Sequence, residues 1–259
     1  MLRFAALSCL LLLGPLRAAA TLLTPGTVVT LDFPELGPMH DQKPAACEVH
    51  IPSSYDPAKP VPLLVWFGGG KGSSSVDGAN GLVDFDTFVV AALPYPDGYF
   101  PRLAAKDGKV DGYWDFHRVM LERIRRLVPN IDPRLRLVAG TSSGGHYIAY
   151  GIDRAWPGFA DYFTTFVIHE GGAQPLTNEI PNARGKHLLV VHGEESTSIV
   201  YRGWLNWNLH RAGADATYIG VPKAGHGLNA DARRIIHDWI NQLVSRLAKQ
   251  SPANHAPTL

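Results

Sequence analysis

Short, wholly apolar runs alternate with stretches of helical spacing along most of the chain. Val61-Pro62-Leu63-Leu64-Val65-Trp66-Phe67 is apolar at every position and is stopped by Gly68-Gly69-Gly70. A run with no polar alternation is a strand buried on both faces. Residues 87–93 repeat the pattern and stop at Pro94. Between Tyr113 and Pro129, Phe116, Val119, Met120, Ile124 and Leu127 fall on one side of a predicted helix, which the proline ends. Residues 135–139 predict a third strand, and a helix follows Ser142. Residues 163–168 and 188–192 predict a fourth and a fifth strand, 204–211 a helix, and 216–221 a sixth strand. A last helix over 230–247 carries Ile235, Ile236, Trp239, Ile240 and Leu243 on its apolar face. Residues 28–33 and 48–51 add an antiparallel edge. The expected class is α/β, with a mostly parallel central sheet and helices on both faces. Such sheets bind ligands beyond the carboxyl ends of their strands.

The first twenty residues follow another pattern. Met1-Leu2-Arg3 precedes an apolar run that reaches Leu13, and Ala18-Ala19-Ala20 follows. A basic start, an apolar run of about ten residues and a small-residue end predict a secretory signal peptide, whereas a membrane span takes about 20 residues. The reading is a signal peptide over 1–20, one domain over 21–259, and a secreted or periplasmic protein without a membrane anchor after cleavage. Removing Arg3 and Arg17 changes the formal charge from +1 to −1. It also removes Cys9, and Cys47 alone forms no internal disulfide.

Composition narrows the function classes. Hydrophobic residues make up 46% and charged residues 18%, an ordinary globular balance. Without a block of like charge, nothing points to nucleic acid. The histidines show no metal-ligand spacing, and neither metal nor cofactor is expected.

The chemistry concentrates after the third strand, in Gly140-Thr141-Ser142-Ser143-Gly144-Gly145. This is G-x-S-x-G between a strand and a helix, a turn that raises a serine hydroxyl above the sheet. Ser142 is the expected nucleophile. Its base is expected late in the chain, and Ala224-Gly225-His226-Gly227 follows the sixth strand. His226 is therefore the expected base; His237 lies inside the closing helix. For the acid, the loop His192-Gly193-Glu194-Glu195-Ser196 makes Glu195 the choice. Glu170, in Ile168-His169-Glu170-Gly171-Gly172, is the rival. The oxyanion hole is expected from the backbone N–H groups of Ser143 and Gly69. The loop at Gly68 lacks the spacing of a phosphate-cradling motif. Tyr95, Tyr99 and Trp114 are the expected substrate-binding aromatics.

From residue 62 to the closing helix, these features resemble the α/β-hydrolase superfamily. The resemblance is greatest to secreted esterases related to polyhydroxybutyrate depolymerases and feruloyl esterases. The stretch that carries it is Asn130-Ile131-Asp132-Pro133-Arg134, the strand that follows and the Ser142 turn. Two positions depart from the pattern. Phe67 stands where those esterases have histidine, and Ser196 stands where they have the aspartate of the triad. The resemblance implies a serine esterase acting on small-molecule or polymeric esters. A peptidase or acyltransferase of the same fold, or a silent hydrolase-fold binding protein, stays open as an alternative.

Overall fold

The computed structural model describes residues 23–97, 111–172 and 180–249, without the side chains of Asp111 and Pro181. The predicted leader and Tyr99 lie outside the described residues. Eight strands form one sheet in the order β1-β2-β4-β3-β5-β6-β7-β8. They are β1 (Val28–Pro38), β2 (Pro44–His50), β3 (Val61–Phe67), β4 (Val89–Ala92), β5 (Ile131–Thr141), β6 (Thr165–His169), β7 (His187–Gly193) and β8 (Asp215–Val221). β1 and β2 form an antiparallel edge, and the pairs from β4 through β8 are parallel. The helices are α1 (Asp111–Leu127), α2 (Ser143–Asp153), α3 (Phe159–Tyr162), α4 (Arg202–Arg211) and α5 (Ala230–Lys249).

The strands are apolar throughout because the sheet has a core on each face. Leu63, Val65 and Phe67 of β3 join Met120 and Ile124 of α1, Tyr147 of α2 and Leu205 of α4. Leu64 and Trp66, pointing the other way, join Ile236 and Ile240 of α5. A short 3₁₀ turn at Val76–Ala79 helps to cover this second face.

β5 begins four residues before the predicted strand. Ile131 pairs with Val61, and the register shifts before Leu63 pairs with Arg136. That irregularity absorbs the polar Asp132-Pro133-Arg134 segment, including a proline that has no N–H to donate. Asp132 is buried, accepts the Arg134 backbone N–H at 2.9 Å and pairs with its guanidinium. Asn130 donates its side-chain amide to Asp56 O and Lys59 O. The segment that carried the resemblance is thus a staple at the amino end of β5, opposite the edge where Ser142 lies.

His117 of α1 ties that helix to both neighbours from inside the core. Its Nε2–H donates to Pro94 O at 2.8 Å, and its Nδ1 accepts the Tyr147 hydroxyl at 2.6 Å. Burial pushes its pKa down to about 4, against the opposing pull of the Pro94 carbonyl. The unfolded chain therefore takes up this proton near pH 6.5 and the folded chain only near pH 4. Stability is complete above the higher value and falls as pH drops between the two, by about 3 kcal/mol for this group. Urea unfolding of the wild type and His117→Gln at pH 7 and 4.5 checks this: the variant should lose less stability on acidification. Equal losses would contradict it.

Candidate active site

Five strand ends converge at the carboxyl edge, and close backbone packing there sets the side chains. Ser142 follows β5 with φ 52° and ψ −111°, a left-handed conformation that a serine adopts only under constraint. Its N–H donates to His169 O at 2.9 Å. The turn requires glycine on both sides. A Cβ on Gly140 would lie 2.4 Å from the Gly144 carbonyl carbon, and one on Gly144 would lie 2.1 Å from Phe67 O. Ser142 is held at the mouth of the sheet, with α2 starting at the next residue.

His226 sits in the loop between β8 and α5, with its side chain 47% exposed. Its Nε2 accepts the Ser142 hydroxyl, at 3.0 Å. The loop comes this close because Gly193 at the end of β7 has no side chain; a Cβ there would lie 2.3 Å from Ala224 O.

The carboxylate behind the imidazole is Glu170, not Glu195. Glu170 follows β6, is fully buried, and has φ 51°. Its Oε2 lies 3.2 Å from His226 Nδ1. Its Oε1 accepts the Gly193 N–H at 2.6 Å, and Oε2 also accepts the Ser196 hydroxyl. Burial works against the charge on this carboxyl. The Gly193 N–H, the Ser196 hydroxyl and the nearby imidazoles of His169 and His192 outweigh it and hold the pKa below the usual carboxylate value. Glu195 instead offers its backbone to the histidine loop, with its N–H on Ala224 O at 2.9 Å. That bond turns its side chain outward, where it is exposed.

Two further histidines lie under the site. His169 Nδ1 is 2.7 Å from Thr141 Oγ1. His192 donates from Nε2 to Gly171 O at 2.7 Å and accepts the Tyr218 hydroxyl at Nδ1. Burial lowers the pKa of both, to about 4 for His169. Ser198 Oγ lies 3.1 Å from His226 Nδ1, a neighbour the sequence reading did not include.

The Gly69 backbone lies against the nucleophile turn: a Cβ on it would meet Ser142 Cβ and Thr141 O at 3.3 Å each. Ser143 opens α2, so its N–H belongs to the unpaired first turn of the helix. Tyr95 does not line a cleft. It is fully buried, stacks beside Phe67, and donates its hydroxyl to Gly68 O at 3.1 Å, next to Gly69. Trp114 is core as well, packed edge-on against Phe159 with its indole N–H on Pro157 O. Both were expected at the substrate; their polar tips are satisfied inside the protein instead. His237 lies on α5 near Asp238 and Asn241, away from Ser142. Among the described residues, no group of three His, Cys, Asp or Glu side chains could hold a metal ion.

No family model matches the chain. A probable dipeptidyl-aminopeptidase B of Ajellomyces capsulatus is 24% identical over 230 residues, covering 73% of this chain. The match spans only 25% of that protein's length. The feruloyl esterase module of Clostridium thermocellum superposes with a TM-score of 0.60 at 13% identity, over 83% of this chain and 87% of the module. A fungal esterase of Rhizomucor miehei gives 0.59 at 17% identity, over 90% of this chain and 88% of the esterase. At these identities the likeness lies in strand order and direction, and it extends over nearly all of both esterase chains. The strand order, the serine turn after β5 and these superpositions together give the chain the α/β-hydrolase fold.

Proposed function

We propose that this protein is a secreted serine hydrolase that cleaves carboxylic esters through an acyl-enzyme on Ser142. The observation that carries the proposal is the line from Ser142 Oγ to His226 Nε2, 3.0 Å, and from His226 Nδ1 to Glu170 Oε2, 3.2 Å. Glu170, as an ionised acceptor, holds the proton of His226 on Nδ1 and leaves Nε2 free as a base.

The chemistry then follows from the positions. His226 Nε2 takes the Ser142 proton as Oγ bonds to the ester carbonyl carbon. The carbonyl electron pair moves to oxygen, where the N–H groups of Ser143 and Gly69 stabilise the charge. The carbon–oxygen bond to the alcohol breaks, and His226 returns the proton to the departing oxygen. Water then attacks the acyl-enzyme, gives its proton to His226, and displaces Ser142, which recovers that proton as the carboxylic acid leaves. Tyr95 supports this arrangement by fixing Gly68, beside the oxyanion donor.

Export is part of the proposal and rests on the basic start, apolar run and alanine end of residues 1–20. No helix among the described residues is long and apolar enough to cross a membrane.

The sequence match to a dipeptidyl-aminopeptidase favours a second reading, amide cleavage by the same residues. A fluorophosphonate probe followed by intact mass should give a single adduct, absent from Ser142→Ala. Turnover of a 4-nitrophenyl ester then separates the readings from turnover of a dipeptide 4-nitroanilide. Faster anilide cleavage would replace the esterase reading. No adduct on folded wild-type protein would remove both.

A further inference from the structure

We propose that Ser196 is a positioning residue of this site, whose hydroxyl holds the Glu170 carboxylate in the orientation that serves His226. The proposal builds on the roles assigned above to Ser142, His226 and Glu170, and adds a residue that no reading of the sequence placed in the machinery.

The hydrogen bonds leave Ser196 one role. Its Oγ accepts the Ser198 N–H at 3.1 Å as the cap of the 3₁₀ turn Thr197–Tyr201. Its own proton is then free to donate, and it goes to Glu170 Oε2. Ser196 is 3% exposed, so water does not compete for that proton. The other carboxylate oxygen is already held by the Gly193 N–H. Gly193 and Ser196 thus grip one oxygen each, both from the β7 end, and between them they fix the plane of a side chain that arrives from β6. Oε2, the oxygen that Ser196 grips, is the one that faces His226.

At neutral pH the surroundings supply little else to hold the charge. The titratable groups around Glu170 are His169 on β6, His192 on β7, Tyr218 on β8 and His226 on the loop beyond β8. Burial keeps His169 and His192 uncharged at neutral pH. A buried carboxylate among neutral neighbours depends on its hydrogen-bond donors. Removing one of the two side-on donors should leave Glu170 easier to protonate and freer to turn. A Glu170 that turns away from Nδ1 no longer stabilises the imidazolium that forms when His226 takes the serine proton.

The test uses the full chain with glutamate labelled by carbon-13 at the carboxyl, as wild type, Ser196→Ala and Ser196→Thr. The Glu170 signal is assigned by its loss in Glu170→Gln. In Ser196→Ala the Glu170 titration midpoint should rise by about one pH unit, and Ser196→Thr, which keeps a hydroxyl, should restore it. With 4-nitrophenyl acetate, kcat at pH 7 should fall about tenfold or more in Ser196→Ala with KM within about twofold, and recover in Ser196→Thr. An unmoved midpoint would overturn the proposal, as would a kcat within about twofold of wild type in Ser196→Ala. If wild type neither turns over the ester nor labels at Ser142, the functional proposal fails on its own. The midpoint would still decide whether Ser196 holds Glu170.

Discussion

Ser142→Ala is expected to lower ester turnover by at least about 10⁴-fold, because it removes the atom that bonds to the substrate. The fold should survive the change. Ser142 is held by its backbone, through the bond to His169 O and the glycine contacts on either side, and among the described residues its hydroxyl has only the half-exposed His226 as a partner. Alanine tolerates a positive φ no better than serine does, so the strain at this turn stays the same. The melting temperature should therefore stay close to that of wild type. His226→Ala should cost a similar factor. The double variant should lose little more than either alone, because a nucleophile without its base and a base without its nucleophile fail in the same step. Residual turnover within about 100-fold of wild type in Ser142→Ala would remove the acyl-enzyme from this serine. Additive losses would mean that Ser142 and His226 act in separate steps.

The legible parts of this protein are those set by neighbouring residues in the chain. β3 lies where its apolar run places it, because burial on both faces leaves no room for a polar position. β5 begins earlier than its apolar run because Asp132 and Arg134 satisfy each other locally, and so a polar segment can enter the sheet. Ser142 and His226 stand out because each lies beside glycines in a turn that follows a strand. The partner of His226 is a different kind of question. Glu170 and Glu195 both end or follow buried strands, and both could reach the histidine by length alone. The choice is made by backbone contacts between strands distant in sequence. Gly171 packs within a Cβ's reach of Gly145, which seats the Glu170 turn against α2. Gly193 packs against Ala224, which brings the Glu195 N–H, and not its carboxylate, to the histidine loop. The pair Gly171-Gly172 after Glu170 was the available signal, since a glutamate forced to positive φ needs uncrowded neighbours. Tyr95 and Trp114 misled for a related reason. An aromatic residue after a strand, like Tyr95, or in the first turn of a helix, like Trp114, looks the same in sequence whether its polar tip meets substrate or, as here, a backbone carbonyl.

Glu170→Gln should therefore lower kcat by about 10³- to 10⁴-fold, while Glu195→Gln should leave it within about twofold of wild type. Glutamine keeps the shape of the carboxylate, and the site dictates how it must sit. The Gly193 N–H points at the Oε1 position, which only the amide oxygen can fill. The amide NH₂ is then left at the Oε2 position, facing His226 Nδ1. Two donors cannot face each other, so Nδ1 gives up its proton and accepts from the amide, and the Ser198 hydroxyl at 3.1 Å can donate to it as well. The proton moves to Nε2, which now points a hydrogen at Ser142 Oγ and cannot receive one. The base is lost through the wrong tautomer, with every backbone contact intact. Ser196 can accommodate the amide, since its oxygen has a second lone pair and its hydroxyl can turn. Glu195, exposed and without a side-chain hydrogen bond or ion pair among the described residues, exerts no such control. Parallel measurements of kcat and of the histidine ring nitrogen shifts check the argument. The shifts of His226 should show Nε2 protonated in Glu170→Gln and Nδ1 protonated in wild type and Glu195→Gln. A large loss in Glu195→Gln, or an unchanged tautomer in Glu170→Gln, would return the acid to the β7 loop.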